Sequence, residues 1–216
     1  MSVSKTIVIS CAGMGTRLGI GSTKALIDID GKPLIIRQLE LLKDFDDIRI
    51  VVGYQMEKVI EVVNSYRKDI LFVFNHDYRN TGTGGSFSRA IKHAAELVVS
   101  LDGDLLVHPD DLMSVLHSDK ECVCGAVPCT EDPMLMKTLT QNGQIYGVGF
   151  SREEGEYEWT GLAQVKTARL TPGDHHVCDM MVPLLPLPME LIRTKEIDTM
   201  ADYEHAVAWV KSGYAD

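Results

Sequence analysis

The chain has 216 residues, 45% hydrophobic and 24% charged, which fits one soluble globular domain with a single core. Its formal net charge of −10 argues against nucleic acid or an anionic membrane as the main partner, so a polyanionic ligand would need a local cationic cluster (Lys5, Arg17, Lys24, Lys32, Arg37) or a metal. The five cysteines follow no disulfide framework and no apolar run approaches the ~20 residues of a membrane span, so the expected location is the cytoplasm.

An apolar strand over 7–11 opens the chain and runs into Cys11-Ala12-Gly13-Met14-Gly15-Thr16-Arg17-Leu18-Gly19, with Thr23-Lys24-Ala25-Leu26 close behind. Glycines permit a tight turn and close approach of backbone to a bulky anion, and Arg17 and Lys24 offer donors suited to phosphate oxygens. A dinucleotide fingerprint needs Gly-x-Gly-x-x-Gly, but Leu18 stands at the third position and Gly19 comes one residue late. The Gly-x-x-x-x-Gly-Lys-Ser/Thr pattern of a P-loop is absent. A nucleoside triphosphate site and a plain strand-to-helix turn are the remaining readings.

Farther along, helical periodicity covers 33–43, a strand 48–52, a helix 56–66 and a strand 70–74. A glycine-rich loop, Thr81–Ser86, precedes a helix over 87–97 and a strand over 98–101. This βαβα rhythm predicts parallel strands with helices on both faces. Leu101-Asp102-Gly103-Asp104 then places carboxylates at a carboxyl-terminal strand edge, where open α/β sheets bind ligands. One or both could hold Mg²⁺, although Asp-Gly also forms solvated turns.

After Cys129 the rhythm changes. Gln141-Asn142-Gly143-Gln144 reads as a turn between short strands, 158–166 as another strand, and the prolines at 183, 186 and 188 exclude an ordinary helix interior. A last helix spans 202–211, with Thr199 and Asp202 resembling a capping box, so on spacing alone Asp198 is structural. His175, His176 and Cys178 lack the paired spacing of a zinc site, and Cys122 and Cys124 read as core. The expected fold is a three-layer, Rossmann-like α/β sheet, mixed but mostly parallel, with an antiparallel-rich extension over the active site. The chain is read as one domain: a nucleotide-binding core over 1–128, an acceptor-binding extension over 129–195 and a closing helix over 196–216.

Together these residues resemble the nucleotidylyltransferase superfamily, most closely the bacterial CTP:phosphocholine cytidylyltransferase-like group. The matching segments are Ala12–Gly19, Lys24-Ala25-Leu26, Gly31-Lys32-Pro33-Leu34, Val51-Val52-Gly53-Tyr54, Gly103-Asp104, Gly161-Leu162-Ala163 and Glu196-Ile197-Asp198-Thr199. The resemblance implies a Mg²⁺-dependent enzyme that joins CMP from CTP to a small phosphorylated alcohol or phosphonate, phosphocholine-like, with release of pyrophosphate. Arg17 and Lys24 would grip the triphosphate, the backbone of Ala12, Gly13, Met14 and Gly15 would touch base and phosphates, and Gly82 and Thr83 would contact the base. Asp104 and Asp198 would hold Mg²⁺. Glu158, Trp159 and Asp179 would lie near the acceptor, with Tyr157 as a further aromatic for a choline-type group.

Three departures stand out. Thr23 replaces a usual proline, Asp102 stands where relatives often carry Glu, and Thr81–Ser86 looks more like the Gly-Thr-Gly-Gly segment of sugar-1-phosphate enzymes. The alternatives are therefore a sugar-1-phosphate nucleotidylyltransferase or, in another class, a non-catalytic nucleotide-binding regulatory module. A homodimer is compatible with the sequence.

Overall fold

The computed structural model describes residues 3–15 and 21–215. Among these, β1 (Lys5–Cys11), β2 (Ile48–Val52), β3 (Leu71–Phe74) and β4 (Leu97–Asp102) form the parallel half of a nine-stranded sheet, in the order β3-β2-β1-β4. The other half contains β6 (Cys122–Ala126), β7 (Leu135–Gln141), β8 (Gln144–Ser151), β9 (Tyr157–Lys166) and β10 (Leu187–Leu191). β9 inserts between β4 and β6 and pairs antiparallel with both, whereas β10 runs parallel to β6 and antiparallel to β8. The antiparallel share is thus larger than the sequence rhythm implies. The extension is also built into the sheet rather than laid across it, because β9 satisfies the open edges of β4 and β6. β5 (Leu105–Val107) and β11 (Thr194–Glu196) make a separate two-stranded antiparallel ribbon.

Alternation along β1 sorts its side chains onto two cores. Ile7, Ile9 and Cys11 share one with α1 (Leu34–Leu41), α2 (Met56–Tyr66) and α4 (Pro109–His117), while Val8 shares the other with α3 (Thr83–Ala90) and α5 (Val177–Met181). A third cluster packs Trp209 and Ala206 of α6 (Met200–Lys211) onto Ile27, Ile29, Leu106 and Ile197. The turn at Gln141–Gln144 is present, with Asn142 and Gly143 both at positive φ, as a two-residue hairpin of matching twist requires.

The 81–97 region departs most from expectation. The glycine segment is the start of α3, not an open loop, and the helix ends at Ala90 instead of running to 97. A Cβ on Gly82 would sit 2.1 Å from the His175 carbonyl oxygen and one on Gly84 2.9 Å from that of His176, so these glycines serve close backbone approach. At the other end, the buried Arg49 guanidinium donates to the carbonyls of Ala90, Lys92 and His93, satisfying groups the helix leaves open.

Candidate active site

Where β1 and β4 end, a cavity of about 470 Å³ opens. Ser10, Cys11, Ala12, Gly13 and Gly15 form its floor with Lys24, which lies on a one-turn helix, Lys24–Leu26. Gly15 has φ +58°, and a Cβ there would come 2.9 Å from Cγ of Lys24. Met14 is 38% exposed and does not line the cavity, and Arg17 falls outside the described residues.

The backbone N–H of Gly103 donates to the Ser10 carbonyl at 3.0 Å, and a Cβ on Gly103 would meet Cys11 Sγ and the Ser10 oxygen, each at 2.7 Å. Glycine therefore lets the Asp102–Asp104 turn tuck against the end of β1. β11 brings in the other acids: Glu196 pairs with Leu105 and the Ile197 N–H donates to the Asp104 carbonyl at 3.2 Å. Ile197 is fully buried between Glu196 and Asp198, both of which line the cavity. Thr199 and Asp202 do form the capping box of α6, and the Asp202 carboxylate also accepts from the Asp198 N–H. The cap therefore positions Asp198, and the structural and functional readings of that segment hold together.

Lys24 Nζ donates to Asp104 Oδ2 at 2.9 Å and to Asp198 Oδ1. Oxygens of Asp104, Glu196 and Asp198 lie within 4.8 Å of one another, and these are the residues able to share a metal ion among those described. Burial pushes the Glu196 carboxyl up to about 8, with further repulsion from Asp104, Asp198 and Asp102. Burial and then Asp104 push Asp102 up to about 7, and its Oδ1 is buried without a hydrogen-bond partner. Burial alone would lower Lys24, but Asp104 and Asp198 outweigh it and hold the ammonium above its usual range. One lysine thus faces four carboxylates, and an all-oxygen donor set suits a hard divalent cation.

Across the cavity, β9 supplies Glu158 and Trp159. Glu158 is buried and accepts from the Cys129 and Thr130 N–H groups and the Thr130 hydroxyl, so it anchors the 129–130 loop. Trp159 packs edge-on against Phe150 with its ring still bordering the cavity. Thr130, Asp132 and Arg152 complete this wall, with Arg152 Nη1 2.9 Å from Asp132 Oδ2.

Gly82 and Thr83 line the opposite wall, but the N–H groups of Gly82 and Gly84 donate to the carbonyls of Asp174 and His175, and Thr83 Oγ1 accepts from Val177. Asp179 is exposed and outside the cavity; its carboxylate caps α5 by accepting from the His176 N–H. Tyr157 packs into the second core instead of the cavity. The expected cationic cluster also narrows. Lys5 serves the Leu116 and Ser118 carbonyls, Lys32 pairs with Glu40, and Arg37 caps the Ile29 carbonyl.

Sequence reasoning also missed cavity residues, among them Glu196, Thr130, Asp132 and Arg152. For Glu196 the signal was present, since Glu-Ile-Asp alternates polar, apolar, polar as an extended segment with one face in a site does. No local pattern marks the other three, which loops bring in from either side of the β7–β8 hairpin.

Comparison with known proteins matches residues 7–193 to the MobA-like NTP transferase domain. The bifunctional protein GlmU of Aliarcobacter butzleri is 37% identical over 155 residues, covering 71% of this chain and 36% of that protein. The chain thus spans about a third of the length of the curated relatives it matches. Among solved structures, a glucose-1-phosphate thymidylyltransferase candidate from Bacillus anthracis aligns with TM-score 0.76, 16% identity and 96% coverage of each chain. The CTP:phosphocholine cytidylyltransferase LicC of Streptococcus pneumoniae aligns with TM-score 0.72, 18% identity, and 96% and 100% coverage. With the match extending from β1 to the residues just before β11, this chain belongs to the MobA-like NTP transferase domain family.

Proposed function

We propose that the chain is a Mg²⁺-dependent nucleotidylyltransferase that transfers CMP from CTP to a small phosphorylated alcohol or phosphonate. The observation that carries this reading is the Lys24 bridge between Asp104 and Asp198, with Glu196 beside it, at the floor of an open cavity. An acceptor phosphate oxygen attacks the α-phosphorus, a new P–O bond forms, and the bond to the bridging oxygen breaks as pyrophosphate leaves with the electron pair. Two anions must meet for this, and each unit-charge pair at 4 Å costs about 4 kcal/mol near a protein surface.

The backbone of Ala12, Gly13 and Gly15 would lie against the nucleotide, and Lys24 together with Arg17 would draw the triphosphate oxygens in. Asp104, Glu196 and Asp198 would hold Mg²⁺, whose charge when bound offsets that of the phosphates. No side chain need act as a nucleophile because the acceptor phosphate is already ionised; rate comes from positioning and charge stabilisation. The 129–195 segment forms the acceptor side through Thr130, Arg152 and Trp159.

A second reading, a sugar-1-phosphate acceptor with another triphosphate, draws support from the Gly-Thr-Gly-Gly segment at 82–85 and from the fold of the thymidylyltransferase candidate. The test is a matrix of CTP, UTP, GTP and dTTP against phosphocholine, 2-aminoethylphosphonate, glycerol phosphate and glucose 1-phosphate, read as pyrophosphate release. Turnover with CTP and a phospho-alcohol or the phosphonate is expected. Turnover confined to a sugar phosphate with another triphosphate would replace the first reading by the second, and none in any cell would refute both.

A further inference from the structure

At one end of the nine-stranded sheet β7 turns back onto β9, pairing Leu135 with Glu158 and Met136 with Tyr157. The other end is β3, which has β2 on one side and stands outermost in the strand order. Ile70-Leu71-Phe72-Val73-Phe74 is a continuous apolar run, and all five residues are half-buried or exposed. Leu71 is 53% exposed and Phe74 46%, the latter even with the His76 ring stacked on it. Edge strands are ordinarily kept single by lysines, prolines or bulges, because their free N–H and C=O groups are a template for another strand. No lysine or proline interrupts this run, and its register against β2 is unbroken from Leu71 to Phe74.

The Asn75 N–H donates to the Val52 carbonyl at 2.9 Å, so Asn75, and with it Val73 and Leu71, turns its backbone groups toward β2. Those of Phe72 and Phe74 therefore point off the sheet. Ile70 and Phe72 pack against one core and Val73 against the other, so Phe74 shares the face of Phe72 and Leu71 that of Val73. The run is thus centred on Phe72, a residue whose backbone faces outward. That is the condition for a strand to pair with its own copy about a two-fold axis, because in an antiparallel pair the residues that exchange both bonds lie opposite one another. With Phe72 opposite Phe72 of a second copy, Phe74 meets Ile70 on one face and Leu71 meets Val73 on the other. Every member of the run then lies against another member. Moving the axis to Val73 sets Asp69 against Asp77, and moving it to Leu71 sets Val73 against Asp69 and Phe74 against Lys68, so the central register is favoured.

We infer that β3 is a homodimer interface: two copies pair edge to edge through residues 70–74, antiparallel and centred on Phe72, so that one sheet continues across both. The partner is a second copy and not an unrelated extended peptide, because the run complements itself residue for residue on both faces. One short strand per copy makes a contact at the small end of interface sizes, below ~1,200 Å² in total, which places dissociation in the micromolar range.

The experiment is sedimentation velocity on the full chain at about 2 µM and about 200 µM, either side of that range, with residue-resolved amide hydrogen exchange by NMR at both concentrations. The expected result is a monomer that becomes a dimer on concentration. The amides of Phe72 and Phe74 should exchange about fivefold or more slowly in the dimer, while those of Leu71 and Val73, already turned to β2, change little. Leu71→Lys/Phe74→Lys places a cation on each face of the edge and should stay monomeric at the higher concentration, with the far-UV circular dichroism of wild type. A wild type that is still monomeric at the higher concentration overturns the inference. So does a dimer in which Phe72 and Phe74 exchange as in the monomer, since another surface would then hold it, and so does a dimer that survives in the folded variant. Should the variant not fold, the exchange at Phe72 and Phe74 decides alone.

Discussion

Replacing Lys24 by methionine keeps the length of the side chain and removes the described cation that bridges Asp104 and Asp198. At 2.9 Å and an effective dielectric of 20, the attraction to Asp104 amounts to about 6 kcal/mol before desolvation is set against it. Breaking a buried pair by deleting one partner typically costs ~3–5 kcal/mol, and because the Asp104 side chain is 25% exposed we take the lower end, about 3 kcal/mol. For a chain of this length that corresponds to a fall in Tm of roughly 6–12 °C.

Differential scanning calorimetry in chelator-treated buffer near pH 8 checks the figure. Glu196 and Asp102, raised to about 8 and about 7, bind protons more readily folded than unfolded. Stability therefore rises as pH falls from 8 toward 6, and more steeply in the variant, whose carboxylates lack the lysine. Added Mg²⁺ should raise the Tm of the variant more than that of wild type, since the vacated carboxylates gain a cation. Activity should fall by about 10²–10³, the usual loss when a preorganised charge is removed from a reacting phosphate. A variant that melts with wild type and responds equally to Mg²⁺ would refute the claim that Lys24 neutralises this cluster.

Glu196→Gln should weaken Mn²⁺ binding, followed by paramagnetic relaxation, by about tenfold or more with little loss of Tm, because a buried carboxylate with a raised pKa becomes a neutral amide. Arg152→Gln should raise KM for the acceptor about tenfold, a charge-assisted hydrogen bond's worth, without changing KM for the triphosphate in steady-state assays. Gly82→Ala drives a Cβ to 2.1 Å from a backbone oxygen and should cost about 2–3 kcal/mol in urea unfolding. Asp47 lies beside Arg49 and Thr6. Although its partial burial works the other way, their hydrogen bonds hold its carboxyl below the usual 3.8. The stability it contributes is present above about pH 4 and lost as pH falls through the depressed value. Asp47→Asn should therefore lose about 1 kcal/mol at neutral pH, with the gap to wild type closing in acid denaturation curves.

Much of this architecture is legible in local pattern. β2 and α2 run over their expected residues, the Asn142-Gly143 hairpin forms, and Thr199 caps the last helix, because each depends on side chains within a few residues of one another. The glycine loop after β1, Lys24 and the Asp102–Asp104 turn could likewise be located from strand ends alone. What local pattern misjudged was decided by contacts distant in sequence. α3 begins at glycines because the 174–176 backbone lies against them, and it stops where Arg49 takes its carbonyls. Asp179 is the local exception: it caps α5 by accepting from the N–H of His176, three residues earlier. β9 enters the sheet between β4 and β6 and carries Glu158 and Trp159 to the cavity.

Local sequence was enough to place a glycine-rich turn, a lysine and acidic residues at strand ends, since backbone freedom, charge and alternation are properties of neighbouring residues. It took the folded chain to bring Lys24 to Asp104 and Asp198, to set Glu196 beside them and to seat β9 between β4 and β6. Each of those pairings joins separate segments of chain, and its energy exists only once the sheet has brought them within a few ångströms.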